Sequence, residues 1–299
     1  MASEPLFGGI EAGGTKFVCA IGSGPGRILR ETRIATTTPD ETLSQAVEFF
    51  RPAVAGRSIG SIGVACFGPL DLDPRSATFG YITSTTKPGW RNTLVAGRLQ
   101  DELGVRVAID TDVNGAALGE YTWGAGREHD PLLYLTIGTG IGGGLVVSGA
   151  PLRGLVHTEM GHIRIPHDTA RDPFPGACPF HGDCLEGLAA GPAVQQRLGR
   201  SARDLPDNDP YWPLEAHYIA LAVQNLVVTL SPRRVILGGG IMQRPFLFDA
   251  IREEVRALLN GYVQHPALLE HLSEYIVPPQ LGGRSGVLGA IALAGSAGR

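Results

Sequence analysis

The chain has 299 residues, of which 43% are hydrophobic and 18% charged, and its formal net charge is −4. This length suits two domains of ordinary size, and the hydrophobic share excludes a disordered chain. The negative charge disfavours nucleic acid and anionic membranes as partners. The amino terminus lacks the basic and apolar regions of a signal peptide, and no apolar run reaches membrane-spanning length. We therefore expect a cytoplasmic protein with neither a membrane nor a nucleic-acid partner.

The first predicted element is a β-hairpin in the segment FGGIEAGGTKFVCAIGSG. An apolar run over residues 7–10 leads into a turn at Gly13 and Gly14, and a second apolar run over residues 17–21 follows. The same order returns in LLYLTIGTGIGGGLVVSG, residues 132–149. Two copies of one hairpin predict a duplicated domain whose halves each begin in this way.

Strands and helices alternate along the rest of the chain, which indicates an α/β protein. The predicted strands are SIGVACFG, residues 105–109 and RRVILGGGI. The predicted helices cover residues 41–50, 113–123, 187–200, 214–230 and 246–259 and a small-residue segment that begins near 285. We expect Asp110 or Asp112 to cap the helix at 113, and the boundary between the halves to fall within 109–113.

The two glycine-rich turns are candidate phosphate-binding sites. Glycine lets the backbone approach an anion and point N–H groups at it, and Thr15 and Thr139 add hydroxyl donors. The segment GTGIGGG contains G-x-G-x-x-G, but the β-like GLVVSG after it disfavours a dinucleotide fold, which needs a helix there. Each turn alone is equally compatible with an ordinary hairpin. The matching composition of the two favours binding of a nucleotide's phosphates.

Asp112 is the candidate acid–base residue. It lies between a predicted strand and a predicted helix, at the carboxyl end of the strand, where open α/β sheets bind ligands. Transfer of a phosphoryl group to a hydroxyl needs a carboxylate that accepts the hydroxyl proton. The position also suits a plain helix cap, and the residues alone leave both roles open. Asp110 is expected inside the strand end as a structural partner.

The segment GHIRIPHDTARDPFPGACPFHGDCLE, residues 161–186, is a candidate metal site. Cys178, His181 and Cys184 have the short spacing that wraps a tetrahedral zinc ion. In a reducing cytosol such cysteines are more often metal ligands than a disulfide, although a disulfide and two buried thiols remain alternatives. A fourth ligand is needed, and the nearby choices are His157, His162 and His167.

Taken together, the motifs resemble the ROK family of sugar kinases. They are GGIEAGGTKFVCAIG, DTDVNGAALGE, TIGTGIGGG, HTEMGHI, CPFHGDCLEG and LGGGI, and the resemblance runs from about residue 7 to residue 293. FGPLDL and TSTTKPGW resemble the family's fructokinase branch. The resemblance implies a two-domain actin-like ATPase (ribonuclease H-like) fold with a duplicated mixed sheet and flanking helices. The implied domains are residues 1–111, completed by a helix over 285–299, and residues 112–284 with a zinc-binding loop over 157–186.

The resemblance also implies an activity, namely ATP-dependent phosphorylation of D-fructose to fructose 6-phosphate. ATP, Mg²⁺ and a structural Zn²⁺ are the implied cofactors, and a homodimer is the implied assembly. A kinase for glucose, mannose or an N-acetylated amino sugar is the alternative within the family. A non-catalytic, sugar-sensing regulator is a further alternative, disfavoured because the first hairpin leaves no room for a preceding helix-turn-helix.

Site residues follow from the resemblance motif by motif. Asp112 is the implied general base, and His162 is the implied fourth metal ligand beside Cys178, His181 and Cys184. The implied sugar contacts are Gly68, Asn114, Glu159, His162 and Glu186. The implied nucleotide contacts are Gly13, Gly14, Thr15, Lys16, Gly138, Thr139, Gly140, Gly238, Gly239 and Gly240. Glu11 stands where most of the family has Asp, which leaves the Mg²⁺ ligands open.

Overall fold

The computed structural model describes residues 4–296. Its strands are β1 (Leu6–Ala12), β2 (Lys16–Gly24), β3 (Arg27–Ala35), β4 (Ile59–Cys66), β5 (Tyr81–Ile82), β6 (Thr93–Leu94), β7 (Arg106–Thr111), β8 (Leu132–Ile137), β9 (Ile141–Val147), β10 (Ala150–Pro151), β11 (Arg234–Gly238) and β12 (Ile276–Val277). Its helices are α1 (Pro39–Ala55), α2 (Val95–Leu103), α3 (Asp112–Trp123), α4 (Leu185–Ala189), α5 (Gly191–Leu198), α6 (Trp212–Leu230), α7 (Pro245–Leu259), α8 (Pro266–Leu269), α9 (Leu272–Tyr275) and α10 (Ser285–Ser296).

Two five-stranded mixed sheets repeat one topology. The first has the order β3-β2-β1-β4-β7, with antiparallel pairs at the β3 edge and parallel pairs from β1 through β4 to β7. The second has the order β10-β9-β8-β11-β12, with an antiparallel pair of β9 and β10 and parallel pairs from β8 onward. Both predicted hairpins are present, and the predicted duplication of a mixed sheet is confirmed.

Contacts divide the chain into two compact units. Among the described residues, the first consists of residues 4–128, Gly144–Thr158 and residues 280–296. The second consists of His129–Gly143 and Glu159–Pro279. The predicted functional domains, residues 1–111 with 285–299 and residues 112–284, stay a prediction.

The first sheet is covered on both faces because successive side chains of a strand point in opposite directions. On β2, Phe17 and Cys19 belong to a buried cluster that also contains residues of α1 and α2. Val18 and Ala20 belong to a second cluster with apolar residues of α10, among them Ile291. The C-terminal helix therefore completes the core of the first unit.

Close packing of α10 explains one glycine of β4. A Cβ atom added to Gly63 would lie 1.9 Å from the Ala290 carbonyl oxygen, which is far inside a normal contact. The backbone of α10 therefore approaches the sheet more closely than any larger residue at 63 would allow.

The helices predicted at 113–123, 214–230 and 246–259 and the one from 285 begin within two residues of α3, α6, α7 and α10, and the one at 41–50 lies inside the longer α1. One predicted helix divides into two. The segment predicted as a single helix over 187–200 is interrupted at Ala190, whose backbone is extended, and forms α4 and α5. Pro192 lies in the first turn of α5, where its missing N–H costs no helical hydrogen bond.

Within residues 4–296, no helix combines the length and apolar character that crossing a bilayer requires.

Candidate active site and metal centre

The turn between β1 and β2 is stabilised by its own backbone. The Gly13 N–H donates to the Lys16 carbonyl at 3.0 Å, and the Thr36 hydroxyl donates to the Gly13 carbonyl at 2.7 Å. A Cβ on Gly14 would meet no atom within 4 Å, and Thr15 and Lys16 are exposed. The turn therefore presents open backbone and a cationic side chain, which together suit an anion.

The second unit groups two glycine turns at neighbouring strand ends. The Gly138 N–H donates to the Gly140 carbonyl at 2.9 Å, and the Gly191 N–H at the start of α5 donates to the Gly138 carbonyl at 2.7 Å. A Cβ on Gly138 would lie 3.6 Å from the Gly240 nitrogen, so the turn after β8 and the turn after β11 are adjacent. Gly239 has a φ of +92°, a conformation that glycine adopts without strain.

Two carboxylates, those of Asp110 and Asp112, lie at the junction of β7 and α3. Thr111, rather than either aspartate, caps α3, because its hydroxyl accepts the Asn114 N–H at 3.2 Å. The expectation that Asp110 or Asp112 caps this helix is therefore wrong. Asp112 is the first residue of α3 and is half-buried, and one of its carboxylate oxygens accepts the Val113 N–H at 2.9 Å.

Asp110 is a structural residue, as its place inside the predicted strand end suggested. It is fully buried, and one oxygen accepts the Thr111 N–H at 2.8 Å and the Asn114 side-chain amide at 2.7 Å. The other oxygen accepts two N–H groups of Arg153, at 3.0 and 2.7 Å. Its two oxygens thus accept four hydrogen bonds, and the acid–base role of Asp112 stays a prediction.

Glu11 at the end of β1 is a second carboxylate near Asp112. Burial, followed by the negative charge of Asp112, raises the pKa of Glu11 from 4.5 to about 7, although Lys16 opposes the shift. Its buried Oε2 accepts no hydrogen bond within the described residues. A Cβ on Gly286 would lie 2.6 Å from the Glu11 carboxyl carbon, so the start of α10 approaches this group closely.

The loop after β4 carries Gly68, a predicted sugar contact. The Phe67 N–H donates to the Ala12 carbonyl at 2.8 Å, which ties the loop to the end of β1. The Leu70 N–H donates to His157 Nε2 at 3.1 Å. His157 is therefore bonded to this loop and is not among the grouped metal-binding side chains, although the sequence allowed it as a fourth ligand.

Four side chains of the predicted metal segment converge, namely His162, Cys178, His181 and Cys184. Their candidate ligand atoms all lie within 4.8 Å of one another. Sulfur-to-Nδ1 distances are 3.7 Å for Cys178 to His162, 3.6 Å for Cys178 to His181 and 3.6 Å for Cys184 to His162. Zinc bonds of about 2.3 Å to sulfur and about 2.0 Å to nitrogen in a tetrahedron require about 3.6 Å. The spacing fits a zinc ion, and the cysteines are not a disulfide.

The family of the chain is decided by its similarity to known proteins. Residues 7–297 match the profile of the ROK family. The chain belongs to the ROK family. Fructokinase from Pediococcus pentosaceus is 43% identical over 98% of each chain, and fructokinase from Zymomonas mobilis is 42% identical over 97% of each. The ROK family glucokinase from Streptomyces griseus, solved with glucose and AMPPNP, is 26% identical, with a TM-score of 0.75 over 97% of this chain and 99% of that one.

Membership of the ROK family confirms the predicted actin-like ATPase fold. Within that fold, Glu186 connects the metal cluster to a glycine turn of the same unit. Its Oε2 accepts the Ile141 N–H at 2.9 Å, just after the turn at Gly138–Gly140, and its Oε1 lies 3.9 Å from His162 Nε2. The carbonyl of the exposed Glu159 accepts the His162 N–H at 3.0 Å. The sugar-binding roles predicted for Glu159, His162 and Glu186 stay predictions.

Sequence reasoning about this ROK chain missed Arg153 and underestimated His157. Both lie in a loop outside the regular strands and helices, and the partner of Arg153 is 43 residues away in sequence. The other rejected metal ligand, His167, lies 3.3 Å from an Asp183 oxygen through Nδ1 and 3.0 Å from the Asp172 carbonyl through Nε2. The partners of His157 and His167 are known only from the folded chain, because they lie elsewhere in the sequence.

Proposed function

We propose that this protein is an ATP-dependent fructokinase that phosphorylates D-fructose at O6. The observation that carries the proposal is the similarity to fructokinases from two organisms over nearly the whole chain. The glycine turns and the carboxylate at the start of α3 supply the groups that phosphoryl transfer requires. Glucose is the competing substrate, because a glucokinase shares the fold at lower identity.

Asp112 acts as general base in this proposal. The fructose O6 forms a bond to the γ-phosphorus of ATP while the bond from that phosphorus to the β,γ-bridging oxygen breaks. The O6 proton passes to the Asp112 carboxylate, and ADP leaves with the bridging oxygen. The hydrogen bond from the Val113 N–H holds the carboxylate in place.

Backbone N–H groups bind the nucleotide phosphates in this proposal. The candidate groups are those of Gly13, Gly14 and Thr15, with Lys16 adding a positive charge, and those of Gly138, Thr139 and Gly140. The turn Gly238–Gly240 is assigned to the adenosine side. Mg²⁺ enters with ATP as part of the substrate, and the unpaired oxygen of Glu11 is of the donor type that Mg²⁺ takes.

Zinc is assigned a structural role in the cluster of His162, Cys178, His181 and Cys184. A site closed by four protein ligands leaves no position open for substrate. With Nδ1 on the metal, the Nε2 of His162 is free to hydrogen-bond, and Glu186 lies on that side of the ring. The ion would thus fix the orientation of two predicted sugar contacts.

An ADP-release assay across fructose, glucose, mannose and N-acetylglucosamine tests the substrate assignment. We expect the highest kcat/KM with fructose, and phosphate at O6 of the product by NMR. A higher kcat/KM for another hexose would replace the substrate while keeping the kinase. Sugar binding without ATP turnover would support the regulator instead.

A further inference from the structure

The loop Arg153–Thr158 of the first unit is a tight turn with both ends anchored. Arg153 and His157 form an antiparallel backbone bridge, and the Gly154 N–H donates to the Val156 carbonyl at 3.2 Å. Leu155 at its tip is 98% exposed, whereas the side chains of Arg153 and His157 contact buried groups of the unit. A rigid turn with two inward anchors is suited to holding other segments in place.

The first anchor is the ion pair of Arg153 with Asp110. The Arg153 side chain is 43% exposed, whereas Asp110 is fully buried. The guanidinium donates to Asp110 through two nitrogens and to the Ile109 carbonyl at 3.2 Å. The opposite oxygen of Asp110 accepts the side-chain amide of Asn114 at 2.7 Å. Arg153 therefore supports, through one carboxylate, the first turn of α3, where Asp112 also lies.

The side chain of Asn114 is tightly enclosed. Asn114 is 1% exposed, and a Cβ on Gly144 would lie 2.9 Å from Asn114 Oδ1 and 2.7 Å from the Val113 carbonyl oxygen. The amide is thus confined between β9 and Asp110. Because an Asp110 oxygen accepts the side-chain N–H of Asn114, the direction of the Asn114 amide depends on Asp110 being held in place by Arg153.

The second anchor is the hydrogen bond from the Leu70 N–H to His157 Nε2. Since Nε2 accepts, the ring proton belongs on Nδ1, which lies 3.4 Å from the Thr158 carbonyl oxygen. A Cβ on Gly68 would lie 3.8 Å from the same Nε2. His157 is 7% exposed, so it fixes the loop after β4 from within the unit.

We infer that Arg153 and His157 are positioning residues for the sugar: they hold the first turn of α3 and the Gly68–Leu70 loop in the arrangement that binds the hexose. The inference rests on the proposed function for its substrate. It requires neither residue to touch the sugar. It assigns to an irregular loop the alignment of three predicted sugar-site residues, Gly68, Asp112 and Asn114.

The Arg153 anchor is tested by exchanging charges for amides. Arg153→Gln leaves the buried Asp110 charge uncompensated, and we expect the KM for fructose to rise about tenfold or more, with smaller changes in kcat and in the KM for ATP. Asp110→Asn alone should behave similarly. The double variant Asp110→Asn/Arg153→Gln pairs two neutral amides and should recover a fructose KM within about threefold of the starting protein.

The His157 anchor is tested by keeping or removing the acceptor. His157→Gln places an amide oxygen where the Leu70 N–H can donate, whereas His157→Leu removes every acceptor. We expect His157→Leu to raise the fructose KM about tenfold and His157→Gln to recover most of that loss. Fructose affinity measured by calorimetry without ATP should follow the KM values.

Arg98→Gln is the matched control, because it removes an arginine that pairs with Asp40 and Glu102 on α1 and α2. The starting protein is first assayed on all four hexoses, so that a wrong substrate assignment is detected separately and the variants are measured with the hexose that is turned over. The inference is overturned if Arg153→Gln and His157→Leu lower the Tm but leave the KM and affinity for that hexose unchanged, or if neither rescue variant recovers them.

Discussion

Each unit contains a buried aspartate paired with an arginine, and the two pairs differ in what surrounds them. In the first unit, Asp110 is fully buried but the Arg153 side chain is 43% exposed. In the second, the side chains of Asp172 and Arg197 are 5% and 9% exposed. The first pair lies beside a half-buried carboxylate at a helix start, whereas the second is enclosed by aromatic rings.

The surroundings of Arg197 show what the second pair does. Its guanidinium lies 4.4 Å from the Phe174 ring centre and donates to Asp172 at 2.9 Å, and the Tyr218 hydroxyl donates to the same Asp172 oxygen at 2.7 Å. Burial acts to raise the pKa of Asp172, but the bonds from Tyr218 and Arg197 outweigh it and lower that pKa. The pair fastens the metal-binding segment to α5 and α6. The same two residue types thus serve alignment in one unit and stability in the other.

The largest effect should come from Asp112, beside the first pair. Asp112→Asn removes the proton acceptor but keeps the side-chain size, so kcat should fall about 10²–10⁴-fold while fructose affinity is retained. Stopped assays for kcat and calorimetry for affinity measure the two quantities. Asp101→Asn, on the exposed side of α2, is the control. A kcat near that of the starting protein would exclude Asp112 as the general base. The first pair would then lie beside a carboxylate that has no catalytic role.

The next effect should be on stability, at the second pair. Arg197→Met leaves Asp172 buried without its cation, and breaking such a pair costs about 3–5 kcal/mol. Urea unfolding should show this loss, and the protein that remains folded should keep its fructose KM. Arg75→Met is the control, because the Arg75 side chain is 89% exposed in its pair with Asp73, and such pairs contribute about 0–1 kcal/mol. A raised fructose KM in Arg197→Met would mean that both pairs align the sugar site.

Removal of the metal tests how the segment around Asp172 is held. If zinc binds only the folded protein and is present at about a hundred times its Kd, chelation should lower the free energy of unfolding by about 3 kcal/mol. The Tm before and after dialysis against a chelator, with zinc content measured in parallel, gives this value. Cys178→Ser should reproduce the loss, whereas Cys66→Ser, in the core of the first unit, should not alter zinc content. An unchanged Tm in protein verified to be zinc-free would show that hydrogen bonds alone hold the segment.

The metal ligands of the second unit were accessible from the sequence, but the arginine partners of the two buried aspartates were not. Cys178, His181 and Cys184 were predictable because closely spaced soft ligands have few other uses in a reducing environment. The cap of α3 was not, because Asp110, Thr111 and Asp112 all have capping side chains, and the arginine that pairs with Asp110 lies 43 residues away.

Local sequence also decided which helices and strands could be predicted. The long helices α6 and α7 were predicted nearly to their ends because their apolar pattern is sustained over many residues. Strand β3 was missed: it lies at the sheet edge, and its sequence RILRETRIA is largely polar. Edge strands are stabilised by pairing with a neighbour, which local sequence does not reveal.

The smallest predicted effect concerns Glu215 on α6, whose Oε2 accepts a hydrogen bond from the Tyr211 hydroxyl. Burial raises the pKa of Glu215 from 4.5 to about 8, against the opposing effects of Tyr211 and Arg197. Between these pH values the folded protein keeps a proton that the unfolded chain has released, so stability should fall as pH rises, by at most about 1.4 kcal/mol per pH unit. Glu215→Gln has no proton to lose, and its urea midpoint should depend less on pH between 6 and 8 than that of the starting protein. Glu48→Gln, on the exposed side of α1, should follow the starting protein. Equal slopes for all three proteins would mean that Glu215 is already ionised in the fold, and that the second unit compensates this buried charge as fully as it compensates Asp172.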